Sequence, residues 1–380
     1  MILGLFFTRG ISLQSWIDKG MLDREIFIYL KYLDERKINK LYLFTYGSDD
    51  VDVFSKLDFS DNYTDKIVII PSPKILTNKF GGILYSIILP IIRRKSIKKC
   101  SFLKSNQLDG AWSVVLSSMI YKIPHLIRSG YSKTFFVEKN RGKNIIYFGY
   151  YYLEKMVYKL ASLTSVSSER ERKKLINNHN IPISRIKILP NYIDTSLFKN
   201  INTERVLDRL LFVGRFDKQK NLENLIKGVS ICKNKLQIDF VGNCDVNREK
   251  ELQDFANYFG VKINFLGLIR NKDLPKLYNS YTFFVLPSLF EGMPKVLIEA
   301  MSCGCICIGT DAPGIVDILE HDFNGVLSVS CSAESISEAI LFAMECDTNK
   351  ISINASNFIK NNYSVNKIMT NELNLFKKES

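Results

Sequence analysis

Three residues at the end of one apolar run can hold an anionic leaving group. In LLFVGRFDKQKNLENLI, the run ends at Gly214 and Arg215, and Lys220 follows in a short loop before a helical pattern opens near Asn221. Glycine lets the backbone approach a ligand closely, a guanidinium offers a rigid fork to phosphate oxygens, and an ammonium adds a second positive charge. That set suits a diphosphate. A second set lies in TFFVLPSLFEGMPKVLIEAMSCG, where an apolar strand leads to the turn Glu291-Gly292-Met293 and a helix opening at Pro294 and Lys295. Proline is a start signal for a helix, whose free N–H groups and positive dipole end then point back at the turn, toward any sugar or phosphate oxygen held there. Glu299 follows Glu291 by eight residues. The two carboxylates can face one opening and accept paired hydrogen bonds from sugar or ribose hydroxyls. Complementing the helix dipole would account for Glu291 but not for Glu299, which sits among Val296, Leu297, Ala300 and Met301.

The elements that must position these groups repeat a βα rhythm. From residue 1 to about 190, the runs ILGLFF, KLYLFTYG, KIVIIPS, CSFLKSN, PHLIRSG, LTSVSS and IKILPN read as strands, with helical spacing over 15–36, 80–94, 110–122, 144–161 and 168–179. The segment 190–208 has turn residues and no sustained period, as a linker would. The rhythm then restarts with RLLFVGRF, QIDFVG, KINFLG, TFFVLPS, ICIGT and GVLSV, and with helices near 221–233, 248–259, 273–280, 294–303, 314–321 and 332–346. This predicts an α/β chain of two Rossmann-like, doubly wound domains facing each other across a cleft at their strand ends. The domains are residues 1–190 and 191–350, and helices over 351–380 cross back onto the first.

Composition excludes several classes. With 46% hydrophobic and 24% charged residues in 380, the chain has a full core and is neither disordered nor collagen-like. The opening MILGLFFTRG lacks the basic start of a signal peptide and reads as a buried strand, and no run reaches the length of a bilayer span. Eight cysteines lie mostly in apolar runs, which suits a reducing cytoplasm. Cys303, Cys305 and Cys307 alternate as on a strand and read as structural. Asp50-Val51-Asp52 has the form of a metal-binding Asp-x-Asp, but sits in a polar segment that reads as a solvated loop. The net charge of +13 is uneven, because residues 91–160 carry 14 Lys or Arg against Asp109, Glu138 and Glu154. A solvated basic face, an anionic membrane surface, a phosphate-bearing acceptor and nucleic acid are the readings of that excess. The membrane reading uses residues 81–105, where GGILYSIILPII is followed by Arg93, Arg94, Lys95, Lys98 and Lys99.

On the residues quoted above, the chain resembles a family 4 glycosyltransferase of the GT-B fold, a retaining class, most strongly over 205–330. The resemblance implies that Gly214, Arg215 and Lys220 hold the donor diphosphate. It implies that Glu291 contacts the transferred sugar, that Glu299 holds the nucleotide ribose, and that the backbone from Gly292 through Met293 and Pro294 to Lys295 lines the donor, with the N–H groups of Gly292, Met293 and Lys295 reaching the sugar and phosphates. Glu291, Arg215 and Lys220 are the expected catalytic groups, with no metal or other cofactor. ILPNYIDTSLF, SVSSERERKKLI and TDAPGIVDILEHDFNGVL agree with it, although Asp317 stands where many members have Glu. In the acceptor half, the glycine-rich loop is reduced to Thr8, Arg9 and Gly10. Arg9 and Gly10 are candidates for the phosphate, and Asp109, His125 and Arg128 for the acceptor side, with Arg128 favoured over His125. The implied activity is hexosyl transfer from a nucleotide diphosphate sugar to a glycan or lipid-linked glycan, in lipopolysaccharide, O-antigen or capsule synthesis, in the cytoplasm or peripherally at the inner membrane face. Nucleic acid is not the expected partner. A nucleotide-sugar epimerase or phosphorylase of similar architecture is the runner-up, and a basic nucleic-acid-binding module the non-enzymatic alternative.

Overall fold

A computed structural model of the chain describes residues 1–130, 134, 137–138, 142–232 and 236–379. The chain forms two compact units, Met1–Leu189 with Met369–Ser380, and Pro190–Ile368. In the first, the strands β1 (Ile2–Phe6), β2 (Lys40–Phe44), β3 (Ile67–Ile70), β4 (Phe102–Ser105), β5 (His125–Ser129), β6 (Leu163–Val166) and β7 (Ile186–Ile188) pair in parallel. Their order is β3-β2-β1-β4-β5-β6-β7, which reverses direction between β1 and β4. Such strands are covered on both faces and so are apolar almost throughout. Leu3, Leu5, Leu41, Leu43 and Phe102 are fully buried. Right-handed crossovers place the helices Lys79–Ile92, Ala111–Tyr121, Ile145–Leu160 and Glu169–His179 on one face, each packed on the next.

The second unit repeats the plan with β8 (Val206–Val213), β9 (Gln237–Val241), β10 (Lys262–Phe265), β11 (Tyr281–Leu286), β12 (Ile306–Thr310) and β13 (Val326–Ser328). Its order is β10-β9-β8-β11-β12-β13, all parallel, and it reverses between β8 and β11. Both sheets are therefore doubly wound, as the βα rhythm predicts.

Three local expectations need correction. The helix expected over 15–36 is two, Leu13–Asp18 and Leu22–Asp34, separated where Gly20 takes φ +61°. Residues 313–318 form turns instead of a helix, because Gly314 is held at φ +84°. The terminal helices do not both return to the first domain. Thr348–Tyr363 buries Ile351, Ala355 and Ile359 in the core of the second unit, and only from Met369, within the helix Val365–Glu379, does the chain lie in the first. Apolar spacing gives a helix its buried stripe but not the sheet that receives it.

What anchors the last helix is a buried charge that sequence patterning does not single out. Lys104, on β4 and 2% exposed, places its ammonium 2.5 Å from Glu372. Tyr32 donates to the other carboxylate oxygen at 2.6 Å, and the Lys104 ammonium lies 5.0 Å from the Tyr29 ring. Phe376 packs one turn on, 4.5 Å from Phe102. Burial pulls the Lys104 pKa below its ordinary value, and Glu372 opposes that pull. Among the described residues, no helix is long and apolar enough to cross a membrane.

Removing one partner strands the other charge in the core, so Glu372→Ala is expected to destabilise the protein by about 3–5 kcal/mol. Lys104→Met combined with Glu372→Leu is expected to recover most of that loss. Urea unfolding of the three proteins at neutral pH measures both, and a double variant as unstable as Glu372→Ala would contradict the assignment.

Candidate functional site

Because β8 and β11 are neighbours, with Leu210 beside Phe283 and Leu211 beside Phe284, the loops that follow them leave the same edge of the sheet. This is the switch point of the second unit, where strand order reverses and loops diverge to leave a crevice. The two loops are knitted together. Leu289 N–H donates to the Gln219 carbonyl at 2.8 Å, and Gln219 Nε2 donates to the Phe290 carbonyl at 2.7 Å. The Lys220 ammonium then meets Glu291 Oε1 at 2.5 Å, with both side chains 10% exposed. A single 3₁₀ turn, Lys218–Lys220, lifts Lys220 into place and ends at Asn221 in the left-handed region, φ +55°. Asn221 tolerates that backbone and donates to the carbonyls of Pro287, at 3.1 Å, and Cys331, at 2.9 Å.

Two glycines permit the close approach. A side chain at Gly242 would strike the Gly214 carbonyl, while Gly214 N–H donates to Val241 at 2.9 Å. A Cβ at Gly314 would lie 2.6 Å from the Glu291 carbonyl, and Glu291 N–H donates to Pro313 at 2.7 Å. The Pro313-Gly314 loop thus buttresses the Glu291-Gly292 turn. Arg215 reaches into solvent, 73% exposed, with Asp217 at 3.2 Å as a weak surface partner. Met293 is fixed through Asn191, whose Nδ2 donates to the Met293 carbonyl at 2.8 Å. Pro294 is the N-cap and Lys295 begins the helix Lys295–Ser302, which no side chain caps. The Lys295 ammonium lies 5.6 Å from the Tyr192 ring.

Glu299 behaves differently from its expected pair. It is 3% exposed and accepts the Tyr278 hydroxyl at 3.1 Å, and burial together with this carboxylate pushes the Tyr278 pKa far up. Glu291 and Glu299 therefore have separate protein partners, Lys220 for one and Tyr278 for the other. The supporting residues Gln219, Asn221, Gly242 and Tyr278 carry no motif. Asn221, at the foot of a helical pattern, is the one that turn chemistry could have flagged.

Residues 197–365 match the family model of glycosyl transferases group 1. That segment contains Gly214, Arg215, Lys220, Glu291 and Glu299. Over 174 residues the chain is 25% identical to N,N'-diacetylbacillosaminyl-diphospho-undecaprenol alpha-1,3-N-acetylgalactosaminyltransferase of Campylobacter jejuni, covering 43% of the chain and 44% of that protein. Over 198 residues it is 27% identical to UDP-Gal:alpha-D-GlcNAc-diphosphoundecaprenol alpha-1,3-galactosyltransferase of Escherichia coli, covering 48% and 51%. The chain thus spans about half the length of these relatives. Across both units it is similar to Anabaena HepE, solved in complex with UDP and glucose, with a TM-score of 0.74 at 16% identity and 100% of each chain covered. That likeness shows the fold.

The first unit gathers charge at its own switch point, outside the group 1 segment. Arg9 follows β1 and Asp109 follows β4, and Arg9 Nε donates to Asp109 Oδ1 at 3.0 Å while the Arg9 backbone N–H donates to the Asp109 carbonyl at 3.1 Å. Burial opposes the Arg9 charge, but Asp109 outweighs it and holds the pKa above its ordinary value. Gly10 takes φ +74° with open space where a side chain would stand. A small pocket opens beside Asp109, between Trp112 and Tyr150, with Glu154 at its wall. Arg128 lies near the end of β5, its N–H donating to Ser105 Oγ at 3.0 Å.

Two sequence expectations fail here. His125 starts β5, so it sits at the opposite edge of the sheet from Arg9 and Asp109. It is 2% exposed, and its ring nitrogens engage the Ser162 N–H and hydroxyl. Asp50 is not solvated either: it is buried and accepts from the backbone N–H groups of Leu13, at 3.1 Å, and Gly47, at 3.2 Å. Cys303, Cys305 and Cys307 are buried, and burial pushes the Cys305 thiol up to about 12, so that it is protonated near neutral pH. Among the described residues, no group of three His, Cys, Asp or Glu is placed to hold a metal ion.

Burial lowers the His125 pKa from 6.5 to about 4. The unfolded chain then binds the extra proton first, so this contribution to stability is whole above about pH 6.5 and is lost as pH falls toward 4. The loss is roughly 3 kcal/mol by linkage. His125→Gln is expected to flatten the decline between those pH values, read as denaturation midpoints across the range.

Proposed function

We propose that this chain is a retaining, metal-independent glycosyltransferase that moves a sugar from a nucleotide diphosphate donor to a glycan or lipid-linked glycan. The observation that carries the reading is the Lys220–Glu291 pair, held at the switch point beside an uncapped helix start with the exposed Arg215 nearby in sequence. Two carriers of positive charge and a helix dipole suit a leaving diphosphate, and a carboxylate beside them suits sugar hydroxyls. The match to glycosyl transferases group 1 supports the same reaction class. The names of the Campylobacter and Escherichia relatives support an acceptor on diphospho-undecaprenol, and the HepE complex supports a UDP-type donor. Cell-surface polysaccharide synthesis, such as that of lipopolysaccharide, O-antigen or capsule, follows from such an acceptor. So does work at the inner face of a membrane.

In this mechanism the bond from the sugar anomeric carbon to the diphosphate breaks as positive charge develops on the ring. Arg215, Lys220 and the N–H groups of Gly292, Met293 and Lys295 stabilise the departing diphosphate in a setting arranged beforehand. Glu291 orients Lys220 and holds the sugar hydroxyls, while Glu299, itself fixed by Tyr278, holds the nucleotide ribose. The acceptor hydroxyl attacks from the face the leaving group vacates, and its proton passes to a diphosphate oxygen. Retention follows. The cationic residues supply the charge that a metal would otherwise bring. In the first unit, Arg9 and Gly10 are the candidates that the family resemblance gives for the phosphates, and Asp109 and Arg128 those for the acceptor.

A thermal-shift series with UDP-, GDP- and ADP-sugars is expected to single out one donor, since a ligand that binds the folded state stabilises it. With that donor and an undecaprenyl diphosphate-linked sugar, Lys220→Ala and Arg215→Ala are each expected to lower kcat/KM about 100-fold. EDTA is expected to leave the rate unchanged, and the product anomer, read by NMR, to match the donor. Conversion of the nucleotide sugar without acceptor, as fast as with it, would indicate an epimerase and overturn the proposal.

A further inference from the structure

The helical layer of the first unit exposes apolar surface in an ordered way. On Lys79–Ile92, Phe80, Ile83, Leu84, Ile87 and Ile91 all face solvent, at the i, i+3, i+4, i+7 and i+11 positions of one stripe. On Ile145–Leu160, Ile145, Phe148, Tyr152, Met156 and Leu160 do the same. Phe80 is 86% exposed and Ile145 87%. A helix of a water-soluble domain turns its apolar stripe inward and its polar face outward. Here the inward face is filled by other residues, Tyr85 and Leu89 in one helix and Val157 and Tyr158 in the other, and a second apolar stripe looks out.

The two helices pack on either side of Ala111–Tyr121, which exposes Met119 and Ile120 between them. The outward stripes thus belong to one side of one layer. Directly after the first stripe come Arg94, Lys95, Lys98 and Lys99, all exposed, and the second ends at the exposed Lys159. Arg93 is not part of this set, because its guanidinium donates to the Pro71 carbonyl at 2.5 Å. Residues 102–105 drop out as well, being a buried strand.

We propose that the outer faces of Lys79–Ile92 and Ile145–Leu160 dock on an anionic lipid bilayer, with the basic cluster at their edge in the headgroups. Apolar side chains beside lysine and arginine are the signature of an interfacial helix that lies in the plane of a membrane. A second copy of this chain would cover the apolar stripes, whereas an anionic bilayer takes both the stripes and the basic cluster. Arg94, Lys95, Lys98 and Lys99 supply attraction to acidic headgroups, and the stripes supply insertion. The surface itself rests on exposure and charge. Only its link to a lipid-carried acceptor rests on the function proposed above.

Sedimentation of the full chain with vesicles of phosphatidylglycerol and phosphatidylcholine, against phosphatidylcholine alone, tests this. Binding is expected only to the anionic vesicles and to weaken with salt. Substituting Arg94, Lys95 and Lys99 together by Gln is expected to lower the partition coefficient about 100-fold, at roughly five-fold per charge. Ile87→Asp with Phe148→Asp is expected to lower it at least ten-fold. All five residues are exposed, so thermal unfolding and the donor-induced thermal shift should stay as in the parent chain. Unchanged vesicle binding by both variants overturns the proposal, as does a solution dimer that the Asp substitutions dissociate. A lost donor shift in the parent chain counts against the transferase reading and leaves the vesicle result standing.

Discussion

Everything at the candidate site of the second unit follows from the adjacency of β8 and β11. Parallel neighbours cannot be joined by a hairpin, so each strand is reached through a helix, and one pair in a doubly wound sheet must be where winding changes direction. In the second unit that pair separates residues 206–213 from 281–286 in sequence while setting their outgoing loops side by side. Lys220 and Glu291, 71 positions apart, meet for that reason. The first unit does the same with β1 and β4, and there Arg9 meets Asp109 across 100 positions. One topological rule, applied twice, gathers charge at two sheet edges.

Three ion pairs show how burial decides what a charge can do. Lys104 and Glu372 are almost fully buried, so their attraction acts in a poorly screened setting and any loss of one partner is severe. They suit an anchor. Arg215 and Asp217 are open to water, where the attraction is weak and the guanidinium is easily shared with a ligand. Lys220 and Glu291 lie between these limits. Their partial exposure keeps an ammonium and a carboxylate fixed in direction yet within reach of an arriving molecule.

The architecture was legible because a parallel sheet writes itself as repeated apolar runs separated by helical spacing. The motif residues were legible because glycine, arginine and glutamate at strand ends have few structural uses. What escaped were relations across long separations. No local pattern marks Gln219 as the residue that ties Lys220's loop to Phe290, or Tyr278 as the donor to Glu299. His125 misled for a related reason. Its place at the start of its strand determines which sheet edge it occupies, and in a parallel sheet the start and the end of a strand lie at opposite edges. Asp50 misled because a run of acidic and polar residues looks solvated until the backbone N–H groups it must cap are in view.

Among the described residues, the cations of 91–160 are put to distinct uses. Arg93 is spent on the Pro71 carbonyl, and Lys104 on Glu372 in the core. Arg128 lies at the end of its strand in the field of Lys104. Among the described residues, Arg94, Lys95, Lys98 and Lys99 form one exposed cluster after Ile92, and Lys159 lies at the end of the second outward stripe, while Lys122 and Lys143 are exposed elsewhere. A merely solubilising charge has no reason to stay beside exposed isoleucine and phenylalanine. A charge that shares a ligand with them does, and a lipid surface, apolar below and anionic above, offers both parts in one plane.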